Sequence, residues 1–212
     1  LYAKMQFFPW VEAVLRYTEG TMTPYNPGSH QTWKDKGLDV KFRLMQEGSL
    51  VPELALGLID LGGTGAYSSE FIVASKRFNN FDLSLGLGWG RLGGIDHISN
   101  PAGWFDDNRK VRGGGTARGG KINLDRFFSG KNASFFGGIE YFTPILNLSV
   151  KLEYDTSDYS GVIGMEKVFD ETGDIFELDS RFNVALNYQF DVSERGKIDF
   201  STGLIRGNTF YA

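Results

Sequence analysis

The 212 residues contain no cysteine and two histidines. Without cysteine there is no disulfide framework, thiol nucleophile or thiolate metal site. His30 and His97, both in loop-like sequence, are too few for a multi-histidine metal centre. No run of eighteen apolar residues occurs, so no transmembrane helix is expected. Basic excess is missing as well. With 22 Lys+Arg against 26 Asp+Glu, the net charge of −4 argues against nucleic acid as a partner. Gly115, Gly120 and Lys121 imitate the spacing of a phosphate-binding loop, but Ile122 stands where Ser or Thr would hold magnesium. The acidic run 170–174 lacks the spaced ligands of a calcium loop and reads as a solvated turn. No nucleophile-elbow sequence is present. No catalytic residue, cofactor or metal is therefore expected.

What the chain does have is alternation. In residues 81–90, Phe81, Leu83, Leu85, Leu87 and Trp89 share one face, and Asp82, Ser84, Gly86, Gly88 and Gly90 share the other. Successive strand side chains point to opposite faces, so this period of two gives one apolar and one polar surface. Further strands are predicted at 2–8, 11–18, 38–47, 69–78, 135–143, 145–155, 181–191, 197–206 and 209–212. The stretch 50–61 is apolar on both faces, which leaves its orientation open. Connections at 9–10, 48–49, 79–80, 143–144 and 192–196 are short; those at 19–36, 62–68, 93–134 and 156–179 are longer. Tight turns at one end and long loops at the other are the pattern of an up-and-down transmembrane β-barrel, here of ten to twelve strands in one domain. The soluble alternative, a sandwich, would need another sheet over each apolar face. Opening directly in strand-like sequence, and with its final strand cut short, the chain reads as a piece of a longer precursor.

In such a barrel the polar faces gather Glu12, Arg16, Asp39, Lys41, Arg43, Lys151, Glu153 and Arg181 in the interior, where opposite charges pair. Glu53 and Glu70 are expected there too, with structural pairing preferred over a glycosidase-like carboxylate couple. Trp10, Phe81, Trp89, Phe142, Tyr188 and Phe190 lie near strand ends, as interface girdles require. The 93–134 loop carries Arg109, Lys110, Arg112, Arg118, Lys121 and Arg126, the candidate contacts for an anionic glycan or lipopolysaccharide phosphate. The 156–179 loop is acidic, and pairing between the two loops competes with that role.

Several segments together resemble the YjbH/GfcD family of bacterial exopolysaccharide and capsule proteins. They are FFPWVE at 7–12, RYT at 16–18, EFIVASKR at 70–77, FDLSLGLGWGRLGG at 81–94, KLEYD at 151–155, FNVALNY at 182–188 and RGNT at 206–209. The resemblance implies a Gram-negative outer-membrane lipoprotein that assists export or surface assembly of exopolysaccharide or capsule. The implied partners are outer-membrane lipid and lipopolysaccharide, the polymer itself and polysaccharide secretion proteins. It carries no catalytic residues. The expectation is a non-enzymatic barrel of the bacterial outer membrane; a passive porin-like channel, and an outer-membrane enzyme acting on glycan or lipid, are the rival readings.

Overall fold

The computed structural model describes residues 1–24, 28–113, 122, 124–158, 179–193 and 196–212, without the side chains of 20–24 and 124. Among the described residues, twelve strands form one antiparallel sheet: β1 (Tyr2–Phe8), β2 (Val11–Pro24), β3 (Thr32–Met45), β4 (Glu53–Ile59), β5 (Ser69–Phe78), β6 (Phe81–Gly90), β7 (Ile98–Ser99), β8 (Asn132–Phe142), β9 (Leu148–Tyr154), β10 (Phe182–Ser193), β11 (Gly196–Ile205) and β12 (Thr209–Tyr211). Each strand pairs with its chain neighbour, except that β6 pairs with β8 while the two-residue β7 lies beside β8. The all-β antiparallel expectation holds, and the strand count falls in the expected range.

Several boundaries differ from the sequence reading. β2 and β3 reach well into the stretch read as a loop at 19–36, pairing as far as Glu19↔Lys34 and Pro24↔Thr32. The period of two continues there, with Trp33, Asp35 and Gly37 buried between exposed Lys34 and Lys36. Both faces are polar at that height, so hydropathy does not mark the strand. In β4, Ala55 and Gly57 are buried on the face shared with Lys41 and Arg43, while Leu54, Leu56 and Leu58 take the opposite face.

Register sorts the side chains. Leu15, Ile72, Leu85, Phe135, Ile139, Leu152, Val184, Leu186, Phe200 and Leu204 all lie on one face and are exposed. Leu85 is 63% and Leu186 48% accessible. The opposite face carries the charged and small residues, and Gly86, Gly88 and Ser149 are buried there. Burial is thus inverted relative to a water-soluble sheet, which would cover its apolar side. Two glycines make room for the inner packing. A Cβ on Gly57 would sit 2.1 Å from the Phe71 ring and one on Gly86 2.3 Å from Phe136. Those two rings meet edge to face at 5.9 Å.

At the short-turn ends, aromatic rings cluster. Phe8 stacks on Trp10 at 5.6 Å, Trp10 on Phe42 at 6.5 Å, Phe81 on Tyr141 at 4.8 Å, and Tyr188 meets Phe190 at 4.6 Å. Arg77 lies over Phe142, 4.2 Å from the ring centroid. Trp89 departs from the girdle expectation. It is buried at the opposite rim, donating from Nε1 to Asn100 Oδ1 at 2.7 Å and packed edge-on against Phe128.

Candidate functional site

Two regions combine charge with defined geometry: the polar face of the sheet and the structured connection between β6 and β8. On the polar face, charges of opposite sign sit on neighbouring strands because ladder register places them there. Lys4 Nζ lies 2.8 Å from Glu12, Arg43 3.9 Å from Glu53, and Lys151 3.6 Å from Glu140. Glu140 also accepts from Ser149 at 2.6 Å, and Glu153 from Asn183 at 3.0 Å. Lys41 stands opposite Glu12 in the β2–β3 ladder. Arg181 reaches Asp96 at 2.8 Å, at the end of the strands rather than among the others. Of the eight expected interior charges, only Arg16 and Asp39 pair with each other, at 3.7 Å. Most of the rest have partners that periodicity did not single out.

Arg16 anchors a denser cluster at the long-loop rim. Its Nη1 lies 3.4 Å from Asp35, whose side chain is fully buried and accepts from Thr64 Oγ1 at 2.6 Å. Its guanidinium covers the Tyr67 ring at 4.4 Å. Asp39 accepts from the Asp60 backbone N–H at 2.8 Å. Asp60, in the turn after β4, has φ 60° and is buried; its Oδ2 accepts from Tyr67 N–H at 3.2 Å, and its Oδ1 has no close hydrogen bond among the described residues. Burial, with the Asp35 charge in support, pushes its carboxyl up to about 6. Nothing in the local hydropathy reveals this turn residue.

In its described residues the β6–β8 connection, read from sequence as an aperiodic basic loop, is folded. It holds short 3-10 turns at Arg91–Gly93, Pro101–Trp104, Asp107–Lys110 and Leu124–Arg126, besides β7. Asn100 organises it: Oδ1 accepts from Trp89 and Ala102 N–H, and Nδ2 donates to the carbonyls of Arg109, Phe128 and Gly130 at 2.9–3.1 Å. Glu70 is the second anchor. Register sets it opposite Leu58 and Trp89, on the apolar face rather than in the interior, and the connection covers it completely. Arg112 grips it with both terminal nitrogens, Nη1–Oε2 2.9 Å and Nη2–Oε1 2.6 Å. Arg112 also donates to Ser68 and to the carbonyls of Arg126 and Ser129. Phe128 N–H completes the carboxylate's shell at 3.0 Å.

The six candidate glycan contacts are therefore placed differently from one another. Arg112 is engaged as described, Arg109 donates to Phe127 O at 2.8 Å, and Arg126 donates to Gly65 O at 3.3 Å. Burial, with Arg112 nearby, lowers the Arg126 guanidinium from its usual range. Lys110 is exposed beside Asp107. Arg118 and Lys121 lie outside the described residues, as do the acidic run 170–174 and residues 159–178 of the acidic loop. Sequence reasoning missed the tip of the connection, where Trp104 and Phe105 are 70% and 90% accessible. Two adjacent exposed aromatics in a loop were the available signal.

An antiparallel meander with an exposed apolar face, a charged opposite face and a folded cap at one rim defines the class: an all-β protein with inverted burial. Comparison then identifies the family. The chain belongs to the YjbH family, matching over residues 1–212 the family described as exopolysaccharide biosynthesis protein YbjH. It is 39% identical over 212 residues to the uncharacterized lipoprotein YjbH of Escherichia coli strain K12, an alignment covering 98% of this chain and 28% of that protein. The chain thus spans under a third of that relative's length. No solved structure matches.

Proposed function

We propose that the sheet closes into a bacterial outer-membrane β-barrel that assists export or surface assembly of exopolysaccharide, without catalysing a reaction. The carrying observation is the sidedness of the sheet. Contiguous exposed apolar surface spread over most of the strands needs a cover, and lipid covers it while the charged face encloses a polar interior. The aromatic cluster at the short-turn ends sits where a membrane interface places rings. Family membership supplies the exopolysaccharide context, and the lipoprotein relative supports attachment to a membrane. The mechanism is guidance: the barrel anchors the protein while the rim tip, with Trp104, Phe105 and Lys110 exposed, touches polymer, lipopolysaccharide or a secretion protein.

The test uses the complete protein in its own cells. Outer-membrane fractionation and a heat-dependent gel shift report insertion, and surface polysaccharide reports function in a strain carrying Trp104→Ala/Phe105→Ala/Lys110→Ala. Normal insertion with reduced polymer is the expected result. A soluble protein without a gel shift removes the barrel, and unchanged polymer removes the guiding role of the tip.

A further inference from the structure

A recess of about 550 Å³ on the polar face forms a trough between β5 and β12. Its position follows from residue size. Ladder neighbours Ser75, Ser84 and Gly138, together with Ala185, keep the floor low where longer side chains would fill the space. Phe136 and Tyr211 offer ring surface in its lining. Tyr211 lies against Gly203, where a Cβ would come within 2.9 Å of the ring.

Along the walls, register lines up Asp82, Glu140 and Lys151 on β6, β8 and β9, and sets Glu153 beside Asn183 one step further along β9 and β10. With Arg77 opposite Asp82 in the next ladder, three carboxylates face two cations, a net charge of −1. Glu140 receives Ser149 and Lys151 while Glu153 receives Asn183. An ionised carboxylate accepts about four hydrogen bonds, so each retains acceptor capacity toward the recess. A polyanion brought here meets net negative charge in a confined space, where like-charge repulsion is strong. A sugar without acidic groups meets acceptors for its hydroxyls and rings for its C–H faces. The volume falls within the span of small-molecule pockets.

We infer that this trough is a saccharide subsite selective for uncharged polymer segments, its hydroxyls held by Asp82, Glu140 and Glu153. The inference rests on the export reading above and names the class of polymer the interior accepts. It moves recognition away from the arginines of the cap, two of which hold the cap's own carbonyls, to the polar face of the sheet.

The experiment titrates the complete protein, folded in detergent micelles, with uncharged tetrasaccharides of glucose, galactose and mannose and with a uronate tetrasaccharide. Calorimetry reads affinity, and the heat-dependent gel shift checks folding of every variant. At least one uncharged tetrasaccharide is expected to bind ten times more tightly than the uronate. Ala185→Phe, which fills the floor, should weaken it at least tenfold, and Glu153→Lys should narrow the preference over the uronate at least tenfold. Should Ala185→Phe not fold, Asn183→Leu removes the donor that orients Glu153 and should weaken binding severalfold. Equal or tighter uronate binding, no saccharide binding, or unchanged affinity in a folded trough variant overturns the inference. Loss of binding with normal surface polysaccharide keeps the trough as a saccharide site and overturns the export reading instead.

Discussion

Replacing Arg112 with Met tests how the cap is held. The substitution keeps the length of the side chain and removes both charged contacts to Glu70, whose side chain is fully buried. Breaking one partner of a buried pair costs about 3–5 kcal/mol, because the other charge is left uncompensated. Because Glu70 and Arg112 join the connection to β5, the cap should open locally before the sheet unfolds. Limited proteolysis at residues 91–113 and 124–131, with the gel shift as the global control, measures that opening. In the double variant Glu70→Gln/Arg112→Met no buried charge remains, so most of the protection should return. Refutation would be a protease-resistant single variant, or a double variant as sensitive as the single one.

Other perturbations have equally definite outcomes. Asp60 takes up its proton more readily when folded, so its contribution is largest at low pH and is lost as pH rises from about 4 through about 6; Asp60→Asn should gain up to about 3 kcal/mol at pH 8 and almost nothing at pH 4, measured by gel-shift melting in detergent. Adjacent residues on β10 separate the two faces. Leu186→Arg puts a charge on the exposed apolar side and should cost about 2–4 kcal/mol and impair insertion, while Asn187→Arg, on the polar side, should insert normally. Trp104→Ala/Phe105→Ala, at exposed positions, should leave stability within about 0.5 kcal/mol while lowering surface polymer.

Hydropathy makes the strands legible wherever one face is apolar and the other polar, which is why β5, β6 and β11 lie within a residue or two of their expected bounds. It failed where both faces meet polar surroundings. The upper parts of β2 and β3 alternate Trp33, Asp35 and Gly37 with Lys34 and Lys36, a contrast in burial without a contrast in polarity. The cap escaped because its order comes from single residues of high valence, not from a period. Asn100 joins five backbone or side-chain groups, and Arg112 joins β5 to two separate carbonyls of the connection. Glu70 did leave a trace in the sequence. A carboxylate sharing a face with Ile72 breaks the apolar pattern, and such a residue implies something covering it. Aperiodic linear sequence does not say what that cover is.

The strand path has a consequence in direction. With β7 set aside the path holds eleven strands, every pairing antiparallel, so its two outermost members, β1 and β12, run the same way. Two like-directed edges join only as a parallel seam. Uniform antiparallel closure takes one more strand of opposite sense between them, as the even strand numbers of bacterial barrels reflect. A second copy related by a two-fold axis along the membrane normal cannot provide it, since that rotation preserves direction. Disulfide trapping between β1 and β12 positions in the complete protein distinguishes the two closures: adjacent edges cross-link, separated ones do not.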